Sequence, residues 1–245
     1  MPGTQKDIID QLRRDILTWE GFKPAPVGAS QVTGIKAIEA AFPNGVFPIG
    51  TIHEFLCPEP EQAAASGGFI AGLLSVIMKQ AGVCIWISNA RRLFPPSLKR
   101  FGIEPDRIIF VDLRNEKEVL WATEEALKCN GIAAVISEVY DLNFMQSRRL
   151  QLAVEATKVT GFILRSNPRK PGATACMARW QITPMPSELE DDMPGVGFPR
   201  WQVELLKVRN GKPGVWQIEW TAEEFTLTGE DTPAIVLPEH IRKAG

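Results

Sequence analysis

Between residues 51 and 165 the chain repeats one alternation, a short apolar run of strand character followed by a longer stretch of helical character. The strand-like runs fall at 51–56, 83–88, 107–112, 132–137 and 161–165, and the main helical stretches reach Met78 and cover 116–129 and 144–159. A further short helix is expected at 35–42, closed by Pro43-Asn44-Gly45. Strands alternating with helices specify a mostly parallel, twisted sheet flanked by helices, the α/β class. The final third changes character. Runs at 175–182, 200–208 and 215–220 read as strands, and Asn210-Gly211 starts a turn between the last two, so an antiparallel hairpin is expected to close the sheet. Trp201, Val203 and Leu205 share one face, as do Trp216, Ile218 and Trp220 on the partner strand, which makes these side chains core residues rather than base-stacking platforms.

The segment from Gly50 to Met78 has the strand, loop, helix layout of a phosphate-binding loop. Such a loop works because backbone N–H groups and one ammonium cradle phosphates while a hydroxyl holds Mg²⁺. The residues in that place are Cys57, Pro58, Glu59, Pro60, Glu61, Gln62, Ala63 and Ala64, so both glycines, the lysine and the hydroxyl are missing. No lysine or arginine occurs between Lys36 and Lys79, and no shift of register restores one. Hydrogen bonds to charged groups contribute roughly 1.5–3 kcal/mol each, so nucleotide affinity is expected to fall by orders of magnitude. An ordinary strand-to-helix turn is the plainer reading of the same residues.

Composition narrows the function classes. With 245 residues, 44% of them hydrophobic, the chain can build one sizeable core. The run 69–78 is too short to span a bilayer and the first residues lack a signal-peptide layout, so a soluble, cytoplasmic protein is expected. Cys57, Cys84, Cys129 and Cys176 have no C-x-x-C spacing and read as reduced thiols, while His53 and His240 are too few for a histidine-based site. A net charge of −2 gives no bulk attraction to nucleic acid, leaving local patches: Arg148 and Arg149 at the start of one helix, Arg169 and Lys170 in a loop.

Three parts are expected. Residues 1–28 hold an amphipathic helix and a linker, 29–228 the α/β domain, and 229–245 a flexible tail. In the leading helix Ile8, Leu12 and Ile16 recur at four-residue spacing with charged residues between them. Such a stripe either folds back on its own domain or docks on another subunit.

From residue 34 to 227 the chain resembles the RecA core, and more closely the ImuA family of RecA-like proteins associated with translesion DNA synthesis. The resemblance is carried by Phe42-Pro43-Asn44-Gly45-Val46-Phe47-Pro48-Ile49-Gly50, by Pro58-Glu59, by Cys84-Ile85-Trp86-Ile87, by Arg179-Trp180-Gln181-Ile182, and by Trp201-Gln202-Val203-Glu204-Leu205-Leu206-Lys207-Val208-Arg209. The turn Gly211-Lys212-Pro213-Gly214 before Trp216 and Glu219-Trp220 is similar to the family's closing hairpin. Matched to RecA position by position, the catalytic glutamate falls near Ala90, the metal-holding acidic residue at Ser137, and the polar sensor near Ser166. Glu138 is adjacent, but its side chain should point to the face opposite Ser137. The resemblance thus implies a cofactor-free, non-catalytic accessory protein of an SOS mutagenesis complex. Its partners would be an inactive polymerase homologue like ImuB, an error-prone polymerase subunit and RecA, with Ile8, Leu12 and Ile16 as a docking stripe. The alternatives are a RecA-like ATPase or DNA-binding repair protein, and a division inhibitor like SulA.

Overall fold

In a computed structural model, residues 32–80, 82–90, 92–166, 171–188 and 197–228 are described. The expected docking stripe Ile8, Leu12 and Ile16, the basic pair Arg169 and Lys170, and the stretch 229–245 lie outside them.

Among the described residues, nine strands form one sheet in the order β3-β2-β4-β5-β1-β6-β7-β8-β9. The strands are β1 (Ile52–Leu56), β2 (Val83–Ser88), β3 (Ile108–Asp112), β4 (Ile132–Val139), β5 (Thr160–Arg165), β6 (Ala178–Met185), β7 (Arg200–Val208), β8 (Gly214–Thr221) and β9 (Glu224–Leu227). The pairings from β3 through β6 are parallel, and β6 through β9 are antiparallel. The helices are α1 (Lys36–Glu39), α2 (Pro60–Ile77), α3 (Glu116–Leu127) and α4 (Phe144–Thr157).

Side-chain alternation divides the core into two layers. On one face Phe55, Ile136, Phe162 and Trp180 pack against Phe69, Ile70 and Leu73 of α2. On the other, Ile52, Val135 and Ile163 pack against Val119 and Leu127 of α3 and Leu150 and Val154 of α4. Local capping starts the outer helices. The Asn115 side chain accepts the Glu118 amide at the head of α3, and Asn143 and Gln146 form a reciprocal capping box on α4.

The expected hairpin is present, with Trp201 opposite Ile218 and Val203 opposite Trp216. Asn210 takes a left-handed conformation (φ 55°), and the Lys212 amide reaches the Ala41 carbonyl at 2.8 Å, clasping the turn to the end of α1. A Cβ at Gly211 would stand 2.3 Å from that carbonyl, so the close approach requires glycine. Trp201 and Trp220 are buried, in agreement with a core role.

Three differences from the sequence expectation have physical reasons. The helix expected at 35–42 is reduced to the four residues of α1, with a 3₁₀ turn at Pro43–Gly45. β6 begins three residues later than expected and runs through Pro184. It pairs with β1 only from Ala178 to Trp180, and further along no described strand pairs with that side, so a proline is tolerated there. β9 was not anticipated. Its turn is Ala222-Glu223, both at positive φ, and neither residue belongs to the Asn-Gly or Asp-Gly class that marks a hairpin in sequence.

An aromatic cluster centres on Trp180, fully buried among Phe42, Phe47, His53, Phe55 and Phe69. His53 is buried too. Its Nδ1 accepts from Trp180 Nε1 at 3.2 Å and its Nε2–H donates to the Pro48 carbonyl at 2.7 Å, which fixes a neutral tautomer. Burial depresses its pKa from 6.5 to about 4, with the Pro48 bond pulling weakly the other way. Because the folded form resists protonation, this contribution to stability is complete above pH 6.5 and is lost as pH falls toward 4. The shift corresponds to about 3 kcal/mol. Urea denaturation across this range should show that slope, and His53→Phe should remove it.

Helix α2 meets the hairpin through glycine. A Cβ at Gly72 would lie 2.3 Å from the Phe225 ring and 2.9 Å from the Trp220 ring. Gly72→Val should therefore displace β9 from the core, at a cost of roughly 1–3 kcal/mol. A melting curve should show Tm lower by about 3–10 °C.

Candidate functional site

Parallel α/β sheets collect their sites at the carboxyl ends of the strands. Here a cleft of about 920 Å³ opens at the carboxyl ends of β1, β4 and β5, between the start of α2 and the segments 92–101, 184–187 and 197–201. That volume suits a small ligand or a few side chains, since ligand pockets span about 300–1,000 Å³. Its surface is largely apolar, with Leu164 and Trp86 at the floor, Ala64 and Gly67 on the α2 side, and the exposed rings of Phe94 and Phe198 at the mouth.

The stretch compared above with a phosphate loop is not a loop for most of its length. β1 ends at Leu56 and α2 begins at Pro60, so Cys57, Pro58 and Glu59 make the whole connection, while Glu61, Gln62, Ala63 and Ala64 are already helical. Pro60 at the first helical position carries no N–H. The amides of Gln62 and Ala63 turn inward to the Glu59 carbonyl, at 3.1 Å each. Glu59 and Glu61 are exposed at the helix start, where their charge suits the helix dipole and opposes an incoming anion. Cys57 is buried and its thiol shares a 3.4 Å contact with the Ser66 hydroxyl. Burial raises its pKa to about 11, the Ser66 contact lowers it somewhat and nearby Glu138 adds to the rise, so the sulfur stays protonated at neutral pH.

Ser137 faces away from the cleft and accepts a 2.7 Å hydrogen bond from Thr123 on α3. Glu138 does lie on the opposite face, but that face is the one bordering the cleft, which corrects the expectation that its carboxyl points away from the site. The Trp86 indole donates to Glu138 Oε1 at 2.7 Å. Burial raises the Glu138 pKa, against the opposing pull of Trp86 and of the Arg92 charge. Ser166 also lines the cleft, with its amide bonded to the Val139 carbonyl, whereas Ala90 is exposed at the end of β2. Sequence alternation separates Ser137 from Glu138, but which of the two faces carries the cleft depends on where α2 packs. Arg92 and the wall formed by 92–101 were missed for the same reason, since they approach β1 only across the sheet.

On the far side of the sheet, Arg148 and Arg149 sit on the outer surface of α4. Arg149 pairs with Glu124 of α3 and Arg148 lies 3.9 Å from Glu155. Among the described residues no group of three or more His, Cys, Asp or Glu could hold a metal ion, and no helix is long and apolar enough to cross a membrane.

The strand order, the helices on both faces and the antiparallel closing strands define a RecA-like α/β protein with a three-residue β1–α2 turn beside an apolar cleft. No family model matches the chain. Protein ImuA of Caulobacter vibrioides is 34% identical over 198 residues, covering 76% of this chain and 81% of that protein. The chain belongs to the ImuA family. Cell division inhibitor SulA of Yersinia pestis and of Yersinia pseudotuberculosis is 25% identical over 128 residues, covering 52% of this chain and 75% of those proteins.

Proposed function

We propose that this chain is a non-catalytic accessory protein of an error-prone translesion synthesis complex in the SOS response, acting through protein–protein contacts. The observation that carries the non-catalytic part is the β1–α2 turn. It has no cation, one proline at the first helical position and two carboxylates where polyphosphate would have to sit. Glu138 supplies a carboxyl in the cleft, but it is held by Trp86 and has no phosphate cradle beside it.

Membership of the ImuA family supports the translesion setting and, with it, partners of the kind implied by the sequence: an ImuB-like polymerase homologue, an error-prone polymerase subunit and RecA. Exposed apolar side chains support the protein-contact reading. Trp121 on α3 (65% exposed) and Met145 on α4 (69% exposed) face outward, and Ile109 stands on β3, the sheet's edge strand, where another chain can add main-chain hydrogen bonds. Direct DNA contact through Arg148, Arg149, Arg169 and Lys170 is a weaker part of the proposal, since the first two already face carboxylates. The similarity to SulA favours a second reading, a division inhibitor that binds a tubulin-like protein.

Millimolar Mg²⁺–ATP should leave Tm unchanged to within about 1 °C, because a ligand stabilises only the state that binds it. A rise of several degrees would restore the ATPase reading. In pull-downs with the ImuB-like protein or RecA, Leu12→Asp should abolish capture if the 8–16 stripe is the docking element. Retention of the division protein with loss of all mutagenesis partners would favour the SulA-like role.

A further inference from the structure

We infer that the outer edge of β3 is a self-association surface, on which a second copy of this chain adds its own β3 antiparallel across a twofold axis at Phe110. The inference rests on the proposed reading of that edge as a protein-contact surface and names its occupant. β3 ends the sheet with Ile108-Ile109-Phe110-Val111-Asp112, which holds no proline or lysine and has its one charge at the last residue, and it follows β2 residue for residue without a bulge. Proline, lysine and bulges are the devices that keep edge strands from pairing, and an apolar edge without them is a template for another strand. The opposite edge, β9, is four residues long and carries Glu224 and Thr226.

Alternation fixes what the edge offers. The Leu113 amide binds the Ser88 carbonyl at 2.9 Å, so odd-numbered residues turn their backbone groups toward β2, and Phe110 turns its N–H and C=O outward. Ile109 ends a row, Val135-Ile85-Ile109, that crosses β4, β2 and β3 on the α3 face. Helix α3 lies over β4 and reaches β2, and Ile109 at the end of the row is 48% exposed. A neighbouring strand with apolar residues on that face would continue the row.

This chain supplies such a strand in one register. With Phe110 opposite Phe110 of the second copy, the two exchange both main-chain hydrogen bonds, and Ile109 of each copy stands opposite Val111 of the other. Asp106, in the 3₁₀ turn before the strand, comes level with Arg114 just after it, so two exposed pairs of opposite charge flank the interface. A slip of two residues sets Asp106 level with Glu116 in one direction and with Asp112 in the other, like charges in both, and a slip of one sets outward backbone groups against inward ones. The same twofold makes the two sheets continuous and points the carboxyl ends of their strands, and with them the two clefts, in opposite directions.

Sedimentation of the full chain across the micromolar range should show a reversible monomer–dimer equilibrium. Ile109→Lys, which keeps its backbone bonds to β2, should raise the dimer Kd by about tenfold or more with an unchanged circular dichroism spectrum. A second measurement reads the register. In a Cys129→Ser background, which removes the exposed thiol, a mixture of Ile109→Cys and Val111→Cys chains should form a disulfide-linked dimer under mild oxidation, and neither variant should do so alone. Opposed residues of a non-hydrogen-bonded pair lie about 4.5 Å apart at Cα, within the reach of a disulfide. Capture of an ImuB-like protein or RecA is a separate readout, so loss of the dimer and loss of those partners are told apart. A full chain that stays monomeric throughout, a dimer that Ile109→Lys leaves intact, or cross-linking of either cysteine variant to itself overturns the inference.

Discussion

The carboxylate of Glu54 fixes the centre of this molecule. It is fully buried on β1, and it accepts from Arg165 of β5 at 2.8 Å and from Arg179 of β6 at 2.7 Å, with the Thr174 hydroxyl as a further donor. Arg165, itself buried, also pairs with Asp141 just after β4. Although partial burial works to raise the Asp141 pKa, the Leu142 amide and Arg165 hold it below the usual carboxylate range. Glu54 and Arg165 together thereby tie four adjacent strands, β4, β5, β1 and β6. Removing one partner of such a group leaves an uncompensated charge in the interior, typically at about 3–5 kcal/mol.

That network lies on the α4 side of the sheet, directly behind the cleft. The division of labour between the faces is sharp. Behind the strand ends the polar groups are paired among themselves, while in front the surface is apolar around Leu164, Trp86 and the aromatic lips. A polyphosphate cradle needs a cation and free amides at the β1–α2 turn itself, whereas the arginines that line the cleft, Arg92, Arg100 and Arg200, come from other segments. At the turn, the Cys57 amide is taken by the Arg165 carbonyl at 2.9 Å, Pro58 has no N–H, and the Gln62 and Ala63 amides close onto the Glu59 carbonyl. The largely apolar lining of the cleft supports the proposed role through protein–protein contacts.

Much of the fold was legible because it rests on local patterns. Alternation over 51–165 gave the parallel strands and their helices within a few residues, and Asn210-Gly211 marked the β7–β8 turn. β9 was invisible because Ala222-Glu223 carries no turn signature, although both residues take left-handed conformations just before Phe225, whose ring packs on Trp220. The candidate site was legible in its losses and not in its contents. The missing lysine could be read directly, whereas the cleft-facing orientation of Glu138 and the wall containing Arg92 could not.

Sequence alone determined the class of the sheet, the antiparallel closure, the buried tryptophans and the absence of a cation between Lys36 and Lys79, because each is a property of residue type and spacing along one segment. The tertiary structure decided which sheet face borders the cleft, that Glu54 is shared between two arginines more than a hundred residues away, and that Gly72 must be small to admit Phe225. Those facts depend on which elements meet across the fold, and side-chain alternation specifies two faces without saying what will cover either.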